Sequence, residues 1–146
     1  MEVPFNDLNR IHEPLRKDFS KAFEECLEHN YFIGGKWITE FEENLSEAFN
    51  QPYIVGVSNG TDAISIVLRA LELPVGSQVV TSANSWISSA EVITENGLDV
   101  VFADVDTAGQ MSIDSLMECI TDKTGALVLP HLFGNMSSVE EITRIC

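Results

Sequence analysis

Basic residues are scarce in this 146-residue chain: eight Lys and Arg stand against 23 Asp and Glu, for a formal net charge of −15. Nucleic-acid binding calls for cations clustered on one face or stripe. Here four Lys and four Arg are scattered over the whole length, so no nucleic-acid partner is expected. Cysteine is sparse as well. Cys26, Cys119 and Cys146 lie far apart with no CxxC pair, a spacing that offers neither a disulfide framework nor a zinc site and predicts reduced, mostly buried thiols. His12, His29 and His131 are too dispersed to hold a metal, so none is expected. Long apolar runs are missing: none nears the roughly 18–20 residues of a membrane span, and no basic segment followed by an apolar one opens the chain. The expectation is a cytoplasmic protein with no membrane partner.

What is present suffices for a core. Hydrophobic residues make up 45% and charged residues 21%, outside the range of disordered chains. The acids are spread evenly, 11 against five bases in residues 1–50 and 12 against three in residues 51–146, so the surplus serves solubility and is no tail. Two segments differ in texture. Residues 1–50 read as helical: Leu15, Phe19, Ala22, Phe23, Cys26 and Leu27 recur at helical intervals over 13–29, and Trp37, Phe41, Leu45 and Phe49 repeat every fourth residue over 37–49. Tyr31-Phe32-Ile33-Gly34-Gly35 forms the turn between them. Residues 51–146 alternate short apolar runs with helical periodicity. Strands are expected at Tyr53–Val57, from Val79-Val80, at Val100–Ala103 and at Ala126–Leu129. Helices are expected after Ser58-Asn59-Gly60-Thr61 and through Leu73, over 86–95, around 113–120 and over 137–146, the last opened by a capping box at Ser137-Ser138-Val139-Glu140. Apolar strands alternating with helices imply an α/β fold with a largely parallel sheet covered on both faces. The last helix ends without a cap, and a four-stranded open sheet leaves an apolar edge. The expectation is therefore the N-terminal part of a larger α/β domain, truncated at the C-terminus.

Three loops carry residues suited to chemistry. Val57-Ser58-Asn59-Gly60-Thr61-Asp62-Ala63 joins the first expected strand to a helix, whose N-terminus presents unpaired N–H groups and a partial positive charge. Gly60 permits close approach of a ligand and Thr61 adds a hydroxyl, which together suit a phosphate; an N-cap and tight turn without a ligand is the plainer alternative. The pattern is neither a Walker loop nor a dinucleotide fingerprint. In Ala83-Asn84-Ser85-Trp86-Ile87-Ser88-Ser89, Trp86 either stacks on a flat ligand or packs into the core. Ser85, Ser88 and Ser89 have no base partner that would make a nucleophile. His131, in Leu129-Pro130-His131-Leu132-Phe133-Gly134, contacts a ligand or is structural. Asp104 and Asp106 read as turn formers. Loops after parallel strands share one rim of the sheet, where ligands of such folds sit.

In order and spacing, Phe41-Glu42-Glu43, Ser58-Asn59-Gly60-Thr61-Asp62-Ala63, Trp86, Val101–Asp106, Ile120–Thr124 and His131-Leu132-Phe133-Gly134 resemble the DegT/DnrJ-type aminotransferases. These are pyridoxal-phosphate enzymes that aminate keto sugars on nucleotide carriers. The resemblance covers nearly the whole chain. It implies the large domain of fold-type-I transferases, a mixed, mainly parallel sheet between helices, in a homodimer. It also implies that Gly60 and Thr61 hold the cofactor phosphate, that Trp86 stacks on its ring, and that glutamate is the amino donor. Ser138 and Met136 stand where the family often has Asp and Pro. The family's Asp against the ring nitrogen and its cofactor-bearing Lys have no counterpart here, so no catalytic residue is assigned to this chain. Lys17 and Lys21 lie on a solvated helix face, and Lys36 follows a flexible turn. Lys123 precedes a strand whose length, six residues at about 3.3 Å, separates it by roughly 20 Å from the far rim. Alternatives are a pyridoxal-phosphate-dependent sugar dehydratase of the same family and a non-catalytic α/β fragment.

Overall fold

The computed structural model describes residues 3–146. These divide into two compact units, one ending at Gly56 and one beginning at Val57.

The first unit is helical, as its periodicity predicts. Helix α1 (Leu8–His12) passes into a 3-10 turn at Glu13–Leu15, then α2 (Arg16–His29) and α3 (Lys36–Phe49) follow. Pro14 explains why α1 and α2 do not fuse: it has no N–H for the helical ladder. Asn30 ends α2 in the left-handed region, and Gly34 and Gly35, both at positive φ, make the reversal into α3. The apolar stripe of α3 is only partly covered within the unit. Trp37 and Leu45 are half-buried, while Phe41 and Phe49 stay exposed. Lys36 places its ammonium over the Trp37 ring, 4.2 Å from the centroid.

Tyr53–Val57 is not a strand. Its β-branched composition suits a pleated ladder, but it has no strand partner among the described residues. Tyr53 and Val55 lie open to solvent, and the Gly56 amide donates to the Glu42 carboxylate at 2.6 Å. Composition reported the propensity and could not report the missing neighbour.

The second unit holds helix α4 (Gly60–Ala70), strand β1 (Gln78–Ser82), α5 (Ser88–Glu95), β2 (Asp99–Ala103), α6 (Ile113–Cys119), β3 (Thr124–Val128), a 3-10 turn at Leu132–Gly134 and α7 (Val139–Ile145). The sheet is three-stranded and parallel in the order β2-β1-β3, with Val79 opposite Val100 and Ala126, and Val80 opposite Val101 and Leu127. Successive strand residues face opposite sides, so the two central valines seed two cores. Val79 packs with Leu68, Val92, Ile93 and Leu98 against α4 and α5. Val80 packs with Ala103, Met111, Leu116 and Ile142 against α6 and α7. Both central positions are fully buried, which is why two adjacent valines sit at the centre of β1 where a half-exposed strand would alternate apolar with polar.

Two local expectations fail. The capping box of α7 does not form. Ser138 takes the N-cap position without a side-chain bond, and the buried Ser137 hydroxyl has no partner; its amide instead donates to the His131 ring at 3.3 Å. The cysteines are free, but Cys26 and Cys119 are only half-buried and Cys146 is exposed. On the amphipathic stripe that holds Cys26, Phe19, Phe23 and Leu27 stay largely exposed. Asp106 does form a turn, accepting from the Ala108 and Gln110 amides at 2.8 and 3.0 Å. No helix among the described residues is long and apolar enough to cross a membrane.

Candidate functional site

The connection from β1 runs through α5 to β2 on one side, while β3 lies on the other side of β1. The order therefore reverses between β1 and β3, and in open parallel sheets the carboxyl ends of strands at such a point leave a crevice. A cavity of about 450 Å³ opens there, lined by Gly60, Thr61, Ile64, Ser85, Trp86, Ser88, Ser89 and Pro130–Phe133. All three loops singled out from the sequence contribute.

The start of α4 is built to leave donors free. Asn59 caps the helix, its side-chain oxygen accepting from the Asp62 amide at 2.9 Å, and its carbonyl accepts from Ala63 at 3.1 Å. The Asp62 carboxylate is held by the Ser58 hydroxyl and by the Asn59 amide group at 3.0 Å. Among the described residues the amides of Gly60 and Thr61 have no protein acceptor. So the N-cap and the open donors coexist: the cap consumes the third amide of the helix and leaves the first two. A Cβ built on Gly60 meets nothing within 4 Å, which leaves open space beside the donors.

Trp86 does not belong to a core. It is 71% exposed and presents itself to the cavity. Its loop is braced by Ser85 and Ser89, whose hydroxyls lie 2.8 Å apart. Thr61 and Ser88 form a similar pair at 2.8 Å across α4 and α5. On the far side, His131 accepts from Ser137 through Nδ1 while its side chain stays exposed; the structural and the ligand-facing alternatives both describe it in part. Phe133 adopts a left-handed conformation, φ 58°, with its ring 98% exposed at the cavity wall. That backbone is rare and costly for an aromatic residue. Asn135 ties this loop to the turn after β2, donating to the Ala108 carbonyl and accepting from Gln110, both at 2.9 Å. No Lys lines the cavity. Among the described residues no three His, Cys, Asp or Glu side chains converge as a metal site would require.

The model of the DegT/DnrJ/EryC1/StrS aminotransferase family matches residues 13–146. The chain belongs to this family. Among its relatives is dTDP-3-amino-3,6-dideoxy-alpha-D-galactopyranose transaminase of Aneurinibacillus thermoaerophilus, 32% identical over 98% of this chain and 40% of the relative. A GDP-4-keto-6-deoxy-D-mannose 3-dehydratase of Escherichia coli O55:H7 is 30% identical over 86% of this chain and 34% of the relative. The crystal structure of ntda from Bacillus subtilis, with bound cofactor PMP, superposes with a TM-score of 0.90 at 30% identity, covering 99% of this chain and 34% of that one. The chain thus spans between a third and two fifths of the length of the curated relatives it matches. Its α/β architecture is that of the pyridoxal-phosphate transferases of this family.

Within the family frame, several cavity residues were not candidates from sequence. Ser88 and Ser89 lack a base partner that would make a nucleophile; they are buried and pair with Thr61 and Ser85 as braces. Phe133 belongs to the His131-Leu132-Phe133-Gly134 segment of the resemblance, but nothing in that segment assigns its ring to a cavity. The rule that ligands gather at the carboxyl ends of strands reaches all three loops, but not which side chains of a loop face inward.

Proposed function

We propose that this chain supplies the phosphate- and ring-binding part of a pyridoxal 5'-phosphate site in an aminotransferase acting on a keto sugar carried on a nucleotide, with glutamate as amino donor. The observation that carries the proposal is the pair of free amides at Gly60 and Thr61 beside the exposed Trp86. The donor set fits the group. Two unpaired N–H groups at a helix N-terminus, a neighbouring hydroxyl and open space at Gly60 suit a phosphate dianion, and the exposed indole offers a face to a flat ring. The cavity is within the range of about 300–1,000 Å³ usual for small-molecule sites.

When bound, pyridoxal phosphate supplies an aldehyde to carry the amino group and a ring that draws off electrons. This chain's residues do the holding. Gly60 and Thr61 anchor the phosphate, the positive end of α4 offsets its charge, and Trp86 sets the plane of the ring. Pro130, Leu132 and Phe133 line the cavity as apolar side chains. No amine of the cavity wall moves a proton, because no Lys is there. Lys123 lies at the amino end of β3, away from the carboxyl-end rim. The proposed division of the chain is a helical segment over 1–50 and the first part of the cofactor-binding large domain over 51–146. Exposed Phe19, Phe23, Phe32 and Phe41 on the helical unit support pairing with a second copy, and a cytoplasmic location fits the chemistry. The dehydratase relative supports a second reading in which the same residues hold the cofactor and a different base completes the site.

The test is a titration of the purified protein with pyridoxal phosphate, followed by borohydride reduction and peptide mapping. The proposal predicts a saturable spectral change, competed by inorganic phosphate, and no stoichiometric label on any of the four lysines. No saturable change, or one fully labelled lysine that glutamate protects, would overturn it.

A further inference from the structure

Thr61 and Ser88 stand 27 residues apart in the chain, on the first turns of α4 and α5, and their hydroxyl oxygens lie 2.8 Å apart. Ser88 is only 7% exposed, and both residues line the cavity. Among the described residues the Ser88 hydroxyl has no other hydrogen-bond partner. Each hydroxyl has one proton to give and two lone pairs. Two arrangements follow. Either Thr61 donates to Ser88 and turns a lone pair toward the cavity, or Ser88 donates to Thr61 and leaves the Thr61 proton free to point there. An anion in the cavity is repelled by the first arrangement and bonded by the second.

Resting on the reading that this cavity holds a phosphate, we infer that Ser88 is a positioning residue that fixes the Thr61 hydroxyl as a donor to it. The Ser88 proton goes to Thr61 Oγ1 and the Thr61 proton to a phosphate oxygen, a two-step chain in which each bond polarises the next. The phosphate then receives three donors from this chain: two amides and one hydroxyl. Ser88 also begins α5, so the positive end of a second helix favours the same polarity. The cradle is therefore shared by two helices through one hydroxyl pair and does not belong to α4 alone. The Ser85–Ser89 pair, also 2.8 Å apart, leaves Ser88 uninvolved and braces the Trp86 loop separately.

The experiment compares the protein with its Ser88→Ala variant for binding of inorganic phosphate, pyridoxal 5'-phosphate and pyridoxal. The two phosphate-bearing probes should weaken by about 3- to 10-fold, the scale of one hydrogen bond to a charged group. Pyridoxal, which lacks the phosphate, should bind unchanged. In a Thr61→Val background the same substitution should have no further effect. Ser88→Cys, close in volume and a poor donor, gives the same readout if the alanine variant does not fold. Equal weakening of all three probes, no weakening, or full additivity with Thr61→Val would overturn the inference. Failure of the unsubstituted protein to bind either phosphate-bearing probe would instead overturn the site reading, and the inference with it.

Discussion

Replacing Gly60 with aspartate should lower affinity for pyridoxal phosphate by about a hundredfold or more and leave the unliganded protein at least as stable as before. The two effects separate because one position answers to two neighbours. Toward the chain, the position is undemanding. A Cβ there meets no atom within 4 Å, Gly60 is the first residue of α4, and an acid in the first turn of a helix is favourable by about 0.3–1 kcal/mol. Aspartate also lowers the backbone entropy cost of glycine in a helix. Toward the ligand, the same change sets a carboxylate against a phosphate. Two unit charges about 4 Å apart repel by about 4 kcal/mol at an effective dielectric of 20, and a hundredfold loss needs only about 2.7 kcal/mol. Gly60→Ala, which fills space without charge, should lose less. Calorimetric titration with the cofactor and thermal melts without it read the two effects independently. An aspartate variant that binds as tightly as the unsubstituted protein would place the phosphate elsewhere.

Ile93→Ala should cost about 2–5 kcal/mol of stability, the range for deleting a fully buried branched side chain and leaving a cavity. Ile93 is completely buried and joins Leu68, Val79, Val92 and Leu98 on one face of the sheet. Few residues of this chain are so enclosed, and domains as a class are stable by only about 5–15 kcal/mol. Helix α5, eight residues long, is too short to persist alone, so its packing also determines where Trp86 and Ser88 stand. Loss of phosphate affinity should therefore accompany loss of stability in this variant. Ile66→Ala, at a half-exposed position of α4, should stay within about 0.5 kcal/mol. The urea midpoints of the two variants check the difference, and a shift for Ile93→Ala no larger than for Ile66→Ala would refute the two-core account.

Much of this was legible in the sequence because burial leaves a periodic trace. β1, β2 and β3 lie where the apolar runs predict them, and α2, α3, α4 and α5 follow the three- and four-residue spacing. The failures share a cause. Tyr53–Val57 has the composition of a strand, but pairing depends on a neighbour that composition does not encode. Ser137 and Glu140 have capping-box spacing, yet the Ser137 amide is taken by His131 from the preceding loop. Trp86 on a rim and Trp86 in a core look alike in one dimension; only its exposure decides. The Thr61–Ser88 pair was illegible for the same reason, since it joins two helices 27 residues apart. Local chemistry was readable, and contacts between distant segments were not.

The most direct test of the central claim is a crystal structure of the protein with pyridoxal phosphate. The phosphate oxygens should lie about 2.7–3.2 Å from the amide nitrogens of Gly60 and Thr61, with the ring stacked on Trp86. A phosphate bound away from the start of α4, or a ring held by another wall with Trp86 turned to solvent, would contradict the account.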